Sequence, residues 1–217
     1  MQKILHQERI EGHIPNVILF TEHNNTYTIG KAGGDDHLLA SEVELAHGNV
    51  SVFKTDRGGD ITYHGPGQIV CYLIIDLKNF YKDVHRYLRD LEEVVIRTLA
   101  NYDLQGYREP DYTGVWVDGK KICAIGVKLS RWVTMHGFAL NVNTDLSYFG
   151  RIIPCGIFHK GVTSLAEQIG KVNDLTEVKK VLAEKLTEVF QTEIDFVNYD
   201  RFAERYHLVM EKEHATS

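Results

Sequence analysis

Apolar residues cluster along the first two-thirds of the chain in short runs rich in β-branched and aromatic side chains, broken by glycines and polar residues. Seven of these runs read as strands: 16–23 (NVILFTEH), 26–30 (TYTIG), 50–55 (VSVFKT), 68–77 (QIVCYLIIDL), 114–119 (GVWVDG), 121–129 (KICAIGVKL) and 136–143 (HGFALNVN). Two segments change period. Between 84 and 102, Val84, Tyr87, Leu88, Leu91, Val94, Val95 and Leu99 fall on one helical face, as do Leu175, Val178, Leu182, Leu186 and Val189 between 174 and 192. Asp174 with Glu177, and Ser164 with Glu167, have the spacing of a capping box and predict helix starts. A last helix is predicted over 200–211. Strands and helices that do not alternate strictly predict an α+β fold, with helices covering a mixed, largely antiparallel sheet.

Composition adds little beyond an ordinary globular class: 217 residues, 43% hydrophobic and 25% charged, are enough for one main core and are expected to form a single domain over 1–217. The longest apolar run, IVCYLII at 69–75, is far below the ~20 residues that span a bilayer, so the expectation is a cytoplasmic protein. Cys71, Cys123 and Cys155 have no Cys-x-x-Cys spacing, which suggests free thiols rather than a disulfide framework or a zinc site. A net charge of −6 argues against nucleic acid. Yet Lys120, Lys121, Lys128, Arg131, Arg151 and Lys160 face only Asp145 in the stretch 120–160, a local positive region suited to an acidic partner.

Three places could carry chemistry. The segment RGGDITYHGPGQ at 57–68 is either a wall of exposed amides around a ligand or a pair of tight turns. It matches neither Gly-x-x-x-x-Gly-Lys-Ser/Thr nor Gly-x-Gly-x-x-Gly, so no nucleotide is indicated. Cys155, between Pro154 and Gly156, sits on a turn where its thiol could enter a cleft, whereas Cys71 and Cys123 lie in apolar strands and read as inert. A thiol with a pKa of ~8.5 needs a base or a neighbouring cation to react at neutral pH. His64, His136, His159 and the lysines are the candidates. Among the lysines, Lys121 starts an apolar strand on which two-residue alternation puts Lys121, Cys123 and Ile125 on one face. It could be solvated, or it could lose basicity in apolar surroundings and exchange a proton with a thiol.

RGGDITYHGPGQIVCY, KICAIG, HGFALNVN and IIPCGI followed by VTSL, with TEHNNTYTIG before them, together resemble the lipoyl(octanoyl) transferases over residues 20–169. The resemblance implies the catalytic-domain fold of the biotin/lipoate protein ligases. It also implies an octanoyl group carried on Cys155 as a thioester, with Lys121 as acid/base. Substrate contacts are implied at Arg57, Gly58, Gly59, Asp60, Ile61, Thr62, Tyr63 and His64, at Ala124, Ile125 and Gly126, and at Gly137, Phe138 and Ala139. The donor implied is octanoyl-acyl carrier protein. The acceptors are the lipoyl domains of 2-oxoacid dehydrogenases and the glycine cleavage H protein, with no cofactor, metal, nucleic acid or membrane required. Thioester exchange is nearly neutral and aminolysis runs downhill, so ATP is not needed. An ATP-dependent lipoate or biotin ligase, a papain-like hydrolase pairing Cys155 with a histidine, and a non-catalytic lipoyl-domain binding module are the competing readings.

Overall fold

The computed structural model describes residues 1–153 and 161–208. Cys155, His159, Lys160 and the stretch 209–211 of the predicted last helix therefore lie outside the described residues. Among the described residues, nine strands form two sheets. The larger has the order β1 (Val17–Thr21), β5 (Gln68–Ile74), β9 (Val133–Asn141), β8 (Lys120–Ser130), β7 (Tyr112–Val117) and β6 (Tyr107–Glu109), and all its pairs are antiparallel. The smaller contains β3 (Ser51–Lys54), β2 (Thr26–Ile29) and β4 (Ile61–His64), with β2 parallel to β3 and antiparallel to β4. The mixed pairing expected from the sequence thus belongs to a separate small sheet.

One face of the large sheet is closed by α3 (Val84–Ala100) and α5 (Leu175–Phe190). The predicted helical spacing explains the packing: Tyr87, Leu91, Val94, Val95 and Leu99 of α3 meet Leu182 and Leu186 of α5 over Cys71, Leu73, Phe138 and Leu140. Each such aliphatic or aromatic side chain withdrawn from water contributes ~1.5–3 kcal/mol. Asp83 caps α3 by accepting from Arg86 N. Ser164 caps α4 (Leu165–Ile169) through Glu167 N, but the Glu167 carboxylate turns to Lys120 and Thr163 instead of closing the box. Asp174 accepts from Thr176 N, while Glu177 pairs with Lys180, so this end is an Asp cap and not a reciprocal box. The last helix, α6 (Tyr199–Arg205), is shorter than its polar and apolar pattern predicts.

Two helices were not legible from periodicity. In α1 (Gln2–Glu11) Leu5 is wholly buried against Ile14, Val17, Ile74 and Val133, and His6 Nε2 bonds Val133 O at 3.1 Å. Too few of its side chains are buried to make an apolar stripe. α2 (Glu42–His47) buries none, and it stands on a full capping box between Ser41 and Glu44. β4 lies inside the stretch read as a glycine loop, which is a turn at 57–60, a strand, and a second turn at 65–67. No helix among the described residues is long and apolar enough to cross a membrane.

Candidate active site

The face of the large sheet opposite the helices looks across a cavity of about 670 Å³ at the small sheet. Two rows of paired residues make its floor. Val70, Ala139 and Ala124 lie side by side on β5, β9 and β8, followed by Tyr72, Gly137 and Gly126. The roof is Thr28 and Thr62, with His64 and the turn at 57–60. The turn is tied down at both sheets: Gly58 N donates to Val127 O at 2.9 Å, and Arg57 Nη2 donates to Thr28 O at 2.6 Å and to its Oγ1 at 2.8 Å. A Cβ on Gly126 would stand 2.8 Å from Gly58 O, so this close approach of turn to strand needs glycine.

Residues 57–62 and 64, together with Ala124, Ile125, Gly126, Gly137, Phe138 and Ala139, all border this cavity. Tyr63 faces the other way. Its ring stacks on Tyr148 at 4.7 Å and its hydroxyl donates to Asn25 Oδ1, because strand alternation gives Ile61 and Tyr63 to the small sheet's own core.

Lys121 reaches the cavity by an irregularity. The β7–β8 ladder pairs Val115 with Cys123 but Trp116 with Lys121, leaving Ile122 as an extra residue. Ile122 and Cys123 are both fully buried in the helix-side core, while Lys121 and Trp116 turn to the cavity. The expected common face for Lys121, Cys123 and Ile125 is therefore corrected. A bulge shifts the register by one residue, and one residue exchanges faces. Lys121 Nζ lies 4.9 Å from the Trp116 ring centroid and 3.5 Å from Thr113 O. Its neighbour Lys120 is engaged elsewhere, with Nζ 2.8 Å from Glu167 Oε1. The Lys121 backbone also anchors the chain that follows Cys155: Lys121 N donates to Gly161 O at 2.9 Å and Lys121 O accepts from Thr163 N at 3.0 Å. Ahead of Cys155, Ile153 N donates to His37 O at 2.9 Å.

Burial pushes the Cys71 and Cys123 thiols far up, which keeps both protonated and inert, as their apolar strands suggested. His64 is enclosed, and burial drives its pKa down to about 3, so it is neutral. Its tautomer follows from two backbone carbonyls. Asn141 Nδ2 donates to Thr163 O, which makes Asn141 Oδ1 an acceptor. Gln68 Nε2 donates to that oxygen and to Tyr63 O, leaving Gln68 Oε1 to accept from His64 Nδ1–H at 2.8 Å. His64 Nε2 therefore carries the lone pair and meets Thr28 Oγ1 at 3.3 Å. In this arrangement His64 has no proton to offer an oxyanion. His136 Nε2 lies 2.7 Å from Asp56 Oδ1, and Lys128 Nζ also bonds that carboxylate at 2.7 Å. Burial raises the Asp56 pKa, but these two bonds outweigh it and hold it down at about 2. Within the positive stretch, then, Lys120 and Lys128 already neutralise carboxylates of this chain.

Gln68, Asn141, Trp116, Val70 and Tyr72 border the cavity but were not singled out from sequence. A glutamine directly after HGPG, and an asparagine at an inward position of HGFALN, were the available signals.

The turn at 57–60 is braced from outside by Asp60, whose buried carboxylate meets His37 Nδ1 at 2.7 Å. The hydrogen bond to Asp60 raises the His37 pKa. The stability from this pair is fully present below the ordinary histidine value of ~6.5 and is lost as pH rises through the raised folded value. His37→Gln is expected to melt below the wild type near pH 6 and to converge with it by about pH 9. A gap constant across that range, read by thermal melts, excludes the ionic link.

A family model for the lipoyl protein ligase A/B catalytic domain matches residues 1–187. Among curated proteins, an octanoyltransferase of Christiangramia forsetii is 56% identical over 199 residues, covering 88% of this chain and 85% of its own. An octanoyltransferase of Rubrobacter xylanophilus is 54% identical over 191 residues, covering 87% and 86%. Among solved structures, lipoate-protein ligase A bound with ATP superposes with a TM-score of 0.73 at 15% identity, over 95% of this chain and 89% of that one. A bi-partite lipoate protein ligase from Thermoplasma acidophilum gives 0.71 at 15%, over 95% and 87%. At such identities these structures speak for the fold alone, and they agree on the α+β architecture.

Proposed function

The chain belongs to the lipoyl protein ligase A/B catalytic-domain family, and from that premise we propose that it is an octanoyltransferase of protein lipoylation, acting as one catalytic domain in the cytoplasm. The observation that carries the chemistry is a single cavity holding the Lys121 amine and a floor of Ala124, Gly126, Gly137 and Ala139. Small floor residues leave an apolar slot for a saturated chain.

The Cys155 thiol gives its proton to Lys121 Nζ, and the thiolate attacks the carbonyl of octanoyl-acyl carrier protein. The carrier thiol leaves with a proton, and octanoyl remains on Cys155 as a thioester. The amine of a lipoyl-domain lysine then attacks that carbonyl, Lys121 again handles the proton, and an amide forms as the thiol is released. Lys121 backbone bonds to Gly161 and Thr163 support this pairing, because they fix the chain leaving the Cys155 segment beside the lysine. Oxyanion stabilisation falls to backbone amides, since the His64 proton is committed to Gln68.

The test is to incubate the protein with octanoyl-acyl carrier protein, without ATP, and weigh it intact. A hydroxylamine-labile octanoyl adduct, lost in Cys155→Ala, is expected. No adduct without ATP, together with lipoyl-domain acylation from free octanoate and ATP, would establish the ligase reading instead.

A further inference from the structure

One wholly buried carboxylate has no part in the mechanism above. Glu92 of α3 is 0% exposed. Its Oε2 accepts from Arg89 Nη1 at 2.8 Å and Arg108 Nε at 3.2 Å, while its Oε1 accepts a backbone hydrogen bond from Gly114 N at 3.0 Å. Gly114 N–H and Thr113 C=O belong to the same peptide group, and in a trans peptide they point in opposite directions. The Thr113 oxygen is the one that faces Lys121 Nζ at 3.5 Å. One peptide thus stands between a buried carboxylate on the helix side and the amine on the cavity side.

The local backbone is shaped for this. Gly114 has φ +137°, and a Cβ there would come within 2.6 Å of Cys123 O and 3.4 Å of Lys121 Cε. Only glycine both turns its N–H toward Glu92 and leaves space for the lysine stem. Across that stem lies the Trp116 ring, 4.9 Å from Nζ and within cation–π range. Among the described residues, the charged groups near this peptide include Glu92, Arg89 and Arg108 on the far side and Lys121 with Asp111 on the cavity side. A carboxylate that accepts the N–H polarises the amide and makes its carbonyl oxygen a better partner for an ammonium.

We propose that Glu92 is a positioning residue for Lys121, fixing and polarising the Thr113–Gly114 peptide so that its carbonyl holds the lysine ammonium against Trp116. The proposal rests on the reading of Lys121 as the proton carrier for Cys155. In that step the thiol proton moves to the Nζ lone pair and sulfur keeps the bonding electrons, so whatever stabilises the ammonium raises the share of thiolate.

The experiment is carbamidomethylation of the full chain by iodoacetamide from about pH 6 to about pH 9.5, a range spanning the ~8.5 of an ordinary thiol. Intact mass gives the rates, and Cys155→Ala identifies the site. Glu92→Leu is expected to slow Cys155 alkylation near neutral pH by about tenfold and to move the profile up by about one pH unit. Glu92→Gln keeps an acceptor for Gly114 N–H at the same volume but lacks the charge, and is expected to slow it by about threefold. If Lys121→Met shifts the profile and folded Glu92→Gln does not, the positioning role is overturned, whether or not Glu92→Leu folds. If Lys121→Met leaves the profile unchanged, the proton-carrier reading itself falls, a separate outcome.

Discussion

Lys121→Met is expected to lower kcat/KM for octanoyl transfer at neutral pH by ~10²–10⁴, the usual contribution of a positioned acid/base group. Methionine keeps the length and apolar stem of lysine, so the Trp116 face and the Gly114 groove stay filled. What disappears is the cation that the proposed mechanism sets beside the thiol. Without it a thiol titrating near ~8.5 is only a few per cent ionised at pH 7, and the deficit should shrink as pH rises and thiolate forms unaided. Rates measured from about pH 6.5 to about pH 9.5 decide the matter. A deficit that does not change with pH would mean that Lys121 positions substrate or stabilises the fold and carries no proton. The Lys120→Met variant is the internal comparison, because that ammonium pairs with Glu167, and its profile should overlay the wild type.

The largest effect on stability is expected at Gly137. A Cβ there would stand 2.1 Å from Cys71 O and 3.0 Å from Leu73 Cδ1, both on the adjacent strand β5. The obstacle is backbone in the middle of the large sheet and cannot rotate aside. Gly137→Ala should therefore cost about 3 kcal/mol and lower the melting temperature by about 10 °C. Gly126→Ala meets Gly58 O at 2.8 Å, a milder overlap than the 2.1 Å at Gly137 and one that falls at the cavity wall. Its loss should be smaller and should show chiefly as altered substrate affinity. Calorimetry of the two variants separates the roles. Equal melting temperatures for Gly137→Ala and wild type would refute the strand-contact account, and Gly137 would then be small only for the ligand's sake.

The long elements were legible because their patterns are long. α3 and α5 each bury a continuous stripe, and β5, β8 and β9 carry the apolar floor and core of the same sheet. Short elements with little to bury escaped, as α2 did in spite of its capping box, and β4 was concealed among glycines that serve the turns on either side of it. Within the site, the motif residues of the turn and the floor were marked by the family resemblance of the segments that carry them. The polar relay through Gln68 and Asn141 was not, since each of these amides acquires its meaning only from a partner far along the chain, Asn141 for Gln68 and Thr163 O for Asn141. In sequence Glu92 is one more charge on an amphipathic helix, and its complete burial and the peptide turned toward it by Gly114 distinguish it.

The extra residue at Ile122 bears on how variation in this chain is to be read. In a regular ladder the side a residue faces is a matter of parity, odd or even from a fixed partner. Here parity is broken between Trp116 and Cys123, so the strand keeps two counts, one for Lys121 and one for everything after it. Ile122 could be exchanged for another apolar residue and the amine would still open onto the cavity. A regular ladder that kept Ile122 would put Lys121 on the same side as Cys123 and turn the amine into the apolar layer beneath α3, whereas the bulge keeps it opposite Trp116. At this point of the molecule the side on which the amine emerges is set by the register of the ladder as much as by the identity of the residue.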